Sequence, residues 1–156
     1  MAIPTDQLQM ESKITSDMRE LFAAIPDSVY GMLHPRLVAC NFNSRTLEVI
    51  VMTTAWMRNI NQVVHGGVIA TALDNIGGLL ACCFSTSGMV APTVSLQISY
   101  QHAIPIDAEL HVRAYLVHNG QHLIHVRTEA FILSDGGERM CASGAAVHYN
   151  VPAERI

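Results

Sequence analysis

Apolar residues recur at helical spacing over residues 5–25, at Leu8, Ile14, Met18, Leu21, Phe22 and Ile25, and Pro26 ends the pattern. This predicts an amphipathic N-terminal helix. Residues 30–35 read as a loop. Runs at 37–43 and 46–53 read as two short strands joined by a turn at Asn43, Ser44 and Arg45. From 66 to about 84 the chain is apolar on nearly every side of a helical projection, which predicts a long helix enclosed by protein. Strand patterns follow at 90–103, 109–118, 122–134 and 138–150. In 109–118, Leu110, Val112, Ala114 and Leu116 alternate with His111, Arg113 and Tyr115. Asn119-Gly120 and Asp135-Gly136-Gly137 mark tight turns between the last three.

The order helix, two strands, helix, four strands predicts an α+β fold. An antiparallel sheet of five to six strands would wrap one long central helix. The small residues Ala142, Ser143, Gly144, Ala145 and Ala146 would let that helix approach the last strand closely. With 156 residues, half of them apolar, the chain suits a single domain over 1–156. Only 14% of residues are charged, so further burial against copies of the chain is expected, as a homo-oligomer. The net charge of −4, a single lysine (Lys13) and the lack of a basic run exclude a nucleic-acid partner. The apolar run 63–84 is broken by His65, four glycines, Asp74 and Asn75, which argues against a membrane span. No basic-then-apolar leader opens the sequence, and Cys40, Cys82, Cys83 and Cys141 form no CxxC pair. Reduced thiols in a cytoplasmic protein are therefore expected.

The chemistry concentrates at the start of the central helix. Gly66 and Gly67 follow His65, and the first amides of a helix have no internal partner. The helix dipole makes that end electropositive. It favours an oxygen that gains negative charge, such as a carbonyl under attack by water. Asp74, set among apolar and small neighbours, is partly desolvated and suited to act as a base. Eight residues of helix span roughly 12 Å, so Asp74 cannot reach a carbonyl held at its own Gly66. An antiparallel second copy would bring Asp74 of one chain beside Gly66 of the other, which predicts a two-fold dimer with two shared sites.

The segment from Asn59 through His65-Gly66-Gly67 to Asp74-Asn75 resembles the HGG…D signature of hotdog-fold thioesterases, in particular the PaaI type that includes the thioesterase superfamily member 2 proteins. The segments from Ala91 to Tyr100 and from Leu116 to Leu123 resemble that family's strand after the helix and its Gly-centred hairpin. The resemblance implies hydrolysis of an acyl-CoA thioester, with coenzyme A as part of the substrate and no separate cofactor, in a dimer or dimer of dimers. It implies that the Gly66 amide polarises the thioester carbonyl and that Asp74 of the partner chain serves as base or nucleophile. Asn59 would place the substrate or leaving sulfur, His65 would hold the loop and contact the thioester, and Ser95 would orient the attacking water. Three features depart from the family pattern. Gln62 stands where glycine is common, His102-Ala103 replaces an Arg-Pro, and a glycine usual near Ile106-Asp107 is missing.

Substrate contacts are expected from Gly67, Thr93 and Arg58, and Trp56, Met57 and Met52 are candidates either to line an acyl pocket or to pack the core. Arg58, Arg113, Arg127 and Arg139 are candidates for CoA phosphates, although Arg113 and Arg127 could pair with Glu109 or Glu129 instead. His118, His122 and His125 cluster near one hairpin, but no cysteine or carboxylate completes a metal set. Two other functions fit the same pattern: a hydroxyacyl-thioester dehydratase, whose usual His-Phe-Pro opening is absent, and a non-catalytic acyl-CoA-binding module.

Overall fold

The computed structural model describes residues 2–155, with the side chains at 22–24 and 155 outside the description. Helix α1 spans Gln7–Ala24 and starts at Asp6, whose carboxylate accepts from the Gln9 amide at 2.9 Å. Its inward stripe is Met10, Ile14 and Met18, one residue per turn. Leu8, Leu21 and Ile25, expected on that face, are exposed instead. A single helix edge against the core has room for one i, i+4 row. The side chain of Phe22 lies outside the description.

The expected loop at 30–35 contains a one-turn helix, α2, Val29–Leu33. Ser28 caps its start and His34, at φ 42°, ends it. One turn is too short to show a period. Strands β1 (Arg36–Asn41) and β2 (Thr46–Met52) form the first hairpin, and β2 buries Leu47, Val49 and Val51. The long helix α3 is Gly66–Cys83. After it come β3 (Met89–Val90), β4 (Thr93–Tyr100), β5 (Glu109–Asn119), β6 (Leu123–Ser134), β7 (Gly137–Tyr149) and β8 (Val151–Pro152). The strand expected at 90–103 is thus split at Ala91-Pro92, because proline gives no ladder donor.

Six strands form one antiparallel sheet in the order β1-β2-β5-β6-β7-β4, while β3 and β8 pair separately. The sheet packs against α3 through β5, β6, β7, β4 and β2, which is the expected hotdog arrangement. On β5, Leu110, Val112, Ala114 and Leu116 all face the core as the alternation predicts. The opposite face is also partly covered. His111 is buried, stacked on Phe131 and hydrogen-bonded to Glu48 at 2.9 Å. α3 meets a length-and-composition test for a membrane span, but ten of its residues are buried in this core.

Gly144 on β7 lies between its neighbouring strand β6 and α3. A methyl group there would sit 2.6 Å from Thr128 Oγ1 and 3.5 Å from Leu73 Cδ1 of α3. The contact that excludes a larger residue there is with Thr128 of β6, while α3 is at ordinary packing distance. Helix α1 covers the open side of α3. Its buried Lys13 donates to the Cys82 carbonyl at 3.1 Å, a cation on the negative end of α3.

Candidate active site

At the start of α3, His65 is the N-cap: its Nδ1 accepts from the Gly67 amide at 2.9 Å. The Val68 and Ile69 amides both donate to the His65 carbonyl. Among the described residues, the Gly66 amide is the one in this turn with no acceptor. The Gly66 carbonyl accepts from the Tyr100 hydroxyl at 2.9 Å. The site therefore offers a single open N–H at the positive end of an 18-residue helix. Gly67, expected to contact substrate, has its amide occupied by the cap, and His65, expected to hold the loop and contact the thioester, has its Nδ1 engaged in that same cap.

The loop before α3 is closed on itself. Asn59 Oδ1 accepts from the Asn61 amide at 2.8 Å, the Asn59 amide donates to the Val63 carbonyl at 2.8 Å, and His65 N donates to Met57 O at 2.7 Å. Asn59 thus uses its oxygen to hold the loop and keeps its side-chain N–H groups for a ligand. Gln62 stands in left-handed backbone at φ 65°, and Asp107 does so at φ 62°. Gln62 stands where the resembled family often has glycine, and Asp107 lies near a second position where glycine is usual. The loop shape is kept here by a side-chain residue at a cost of about 1 kcal/mol or more each.

Asp74 sits half-buried in the middle of α3, and its Oδ1 accepts from Thr93 Oγ1 at 2.7 Å. Ser95 was the residue expected to serve Asp74; the hydroxyl that reaches it is that of Thr93. The two lie two residues apart on β4, but the pairing with β7 shifts between them: Thr93 is opposite His148 and Ser95 opposite Val147, so their side chains leave opposite faces of the sheet. Thr93 is itself backed by His148 of β7, whose Nδ1 lies 3.3 Å from Thr93 Oγ1 and 3.1 Å from the Ala91 carbonyl. His148 and Tyr100 are the two site neighbours that the sequence reading missed.

Asp74 and Thr93 open into a cavity of about 510 Å³ between α1, α3 and the segment 86–93. Leu79, Val90 and Pro92 give it an apolar wall, and Lys13, Asp17 and Tyr30 also border it. Burial raises both the Asp17 carboxyl and the Tyr30 phenol above their ordinary values. Trp56 and Met52 do not border this cavity. They lie in a separate groove with Met32 and Leu33, while Met57 is core. Arg58 is exposed beside the loop. Arg113 is bound to Glu48 and Glu138, and Arg127 to Glu129 while lying over Tyr115. Arg36, not an inner arginine, takes Glu109. Among the described residues no group of three or more His, Cys, Asp or Glu side chains is placed to hold a metal ion. All four cysteines are free thiols, and burial pushes Cys83 up to about 12.

The family model of the thioesterase superfamily matches residues 61–138. No curated protein matches the sequence. Among solved structures, a thioesterase family protein from Silicibacter pomeroyi superposes with a TM-score of 0.77 at 20% identity, covering 92% of this chain and 99% of that one. Thioesterase superfamily member 2 from Mus musculus gives 0.73 at 21% identity, covering 90% and 96%. A thioesterase protein from Streptococcus pneumoniae, crystallised with coenzyme A, gives 0.69 at 17% identity, covering 88% and 97%.

Proposed function

The chain belongs to the thioesterase superfamily, and on that premise we propose that it hydrolyses an acyl-CoA thioester in a homodimer whose two sites are each shared between subunits. The observation that carries this reading is the placement of β4. This strand lies at the open edge of the sheet, starting beside Asp74 at Thr93 and ending beside Gly66 at Tyr100. An unpaired edge invites a second strand. If β4 pairs antiparallel with its own copy about a two-fold axis, the Asp74 end of one chain meets the Gly66 end of the other. The exposed apolar residues Val94 and Tyr100 would be covered by that pairing.

In the shared site the thioester oxygen accepts from the Gly66 amide of one chain. Water, held by Asp74 of the other, attacks the carbonyl carbon as Asp74 takes its proton. The tetrahedral oxyanion then collapses, the C–S bond breaks, and coenzyme A leaves as thiolate and is protonated. Asn59 donors lie in the same loop and suit the departing sulfur. The acyl group occupies the cavity beside Asp74. Coenzyme A bound to the Streptococcus pneumoniae structure supports the substrate class. Arg58 and Arg139, exposed and without ion pairs among the described residues, are available for its phosphates. Free thiols fit a cytoplasmic protein, and the substrate is the only place for coenzyme A in this scheme. Two such dimers, paired through further exposed apolar surface, give a dimer of dimers.

The test is thiol release from a panel of short, medium, long-chain and aromatic acyl-CoA esters. At least one should be turned over, and Asp74→Asn should lower its kcat by about 10² or more. Wild-type turnover in that variant, or a fully active monomer by sedimentation, would refute the assignment.

A further inference from the structure

His148 is a fully buried histidine that the reaction scheme above does not use. It stands on β7 directly across from Thr93 of β4. Its Nδ1 faces two oxygens, the Ala91 carbonyl at 3.1 Å and Thr93 Oγ1 at 3.3 Å. A carbonyl only accepts, so the proton of the neutral ring belongs on Nδ1. One N–H shared between those oxygens occupies a lone pair of Thr93 Oγ1. The Thr93 proton then has one place to go, the Asp74 carboxylate, where Oδ1 is 2.7 Å away.

The other edge of the ring lies beside the glycine pair inside α3. A methyl group at Gly77 would lie 3.7 Å from His148 Nε2, and one at Gly78 would lie 3.8 Å from Cε1. These are ordinary packing distances, so the ring sits against α3. His148 Nε2 is buried with no hydrogen-bond partner among the described residues. A proton there would be an unpaired buried charge, so the ring is held neutral; burial accordingly lowers its pKa from the ordinary value.

We propose that His148 is a positioning residue for thioester hydrolysis, its Nδ1–H fixing the Thr93 hydroxyl as a donor to Asp74 Oδ1 and leaving Oδ2 to take the proton of the attacking water. The proposal rests on the reading of Asp74 as the base.

The test has one arm that needs no activity. ¹⁵N NMR of the imidazole in the wild-type protein near neutral pH should show a neutral ring protonated at Nδ1. A ring protonated at Nε2 would overturn the proposal. In the second arm, kcat and KM are measured with the acyl-CoA of the panel that is hydrolysed fastest. His148→Phe keeps the ring and loses the donor, so kcat should fall about tenfold at unchanged KM. His148→Asn restores an N–H near the Nδ1 position and should return kcat to within about threefold. In a Thr93→Val background, His148→Phe should cost nothing further, because the group it orients is gone. A folded His148→Phe with wild-type kcat, or an undiminished loss in the Thr93→Val background, would overturn the proposal. Asp74→Asn run alongside separates the cases. If Asp74→Asn is fully active, the base assignment itself has failed; if it is dead while His148→Phe is not, only the positioning role has.

Discussion

Replacing Gly66 by proline removes one hydrogen-bond donor and almost nothing else. Gly66 is the first residue of α3, the position where proline's fixed φ fits a helix and its missing N–H is not used internally. The preceding His65 has φ −64° and ψ 134°, in the extended region that a residue before proline prefers. A Cβ at Gly66 would touch the Tyr100 ring at 3.5 Å, an ordinary van der Waals contact. The Gly67, Val68 and Ile69 amides keep their acceptors. Stability should therefore change by less than about 0.5 kcal/mol. Loss of an oxyanion donor typically costs about 3–4 kcal/mol in the transition state, so kcat should drop on the order of 10²–10³ with a far smaller effect on KM. The same variant reads the subunit arrangement. Mixed and reassembled with Asp74→Asn, it forms a heterodimer with one intact site, which pairs Gly66 of one chain with Asp74 of the other. Random mixing should restore about one quarter of wild-type turnover. Two inactive parents that give no recovery would place Gly66 and Asp74 in one chain and refute the shared site. A Gly66→Pro protein with wild-type kcat would refute the oxyanion role.

Gly144→Ala should destabilise the fold by about 1–2 kcal/mol, because the new methyl meets the stiff, fully buried Thr128 at 2.6 Å; Gly136→Ala, with open space around it, is the control, and equal urea midpoints for the two would contradict the packing account. Thr93→Val should lower kcat by about tenfold and by more than Ser95→Ala does, since Thr93 is the hydroxyl on Asp74; the reverse order in steady-state kinetics would reinstate Ser95. His148 binds a proton less readily folded than unfolded, so the unfolded state takes up more protons below the ordinary imidazole value of about 6.5. Its contribution is present above that pH and is lost as pH falls through the lower folded value, with a slope of up to ~1.4 kcal/mol per pH unit. Urea midpoints between about pH 7.5 and pH 5 should fall more steeply in wild type than in His148→Phe; parallel curves would contradict this. Cys83, buried and pushed up to about 12, should resist a thiol reagent at mildly alkaline pH until the protein unfolds; rapid native-state labelling at Cys83 would show that its burial is wrong.

The sequence by itself determined most of the long elements and the inward face of β5. The all-round apolar run of α3 and the alternation on β5 are local properties, written in neighbouring residues, and each appears in the structure close to where the pattern put it. The His65-Gly66-Gly67 opening is local too, because capping and an open first amide depend on residues within one turn. Tertiary structure decided which hydroxyl serves Asp74. Simple alternation along β4 would put Thr93 and Ser95 on one face, but the irregularity between them pairs Thr93 with His148 and Ser95 with Val147, which turns only Thr93 toward Asp74. His148 was invisible for the same reason: it reaches the site through strand pairing, far along the chain from Asp74. The exposure of Leu8 and Leu21, the removal of Trp56 to another groove and the left-handed backbone at Gln62 and Asp107 follow the same rule. Each depends on what packs opposite, and an amino-acid sequence carries periodicity but not the identity of the facing atoms.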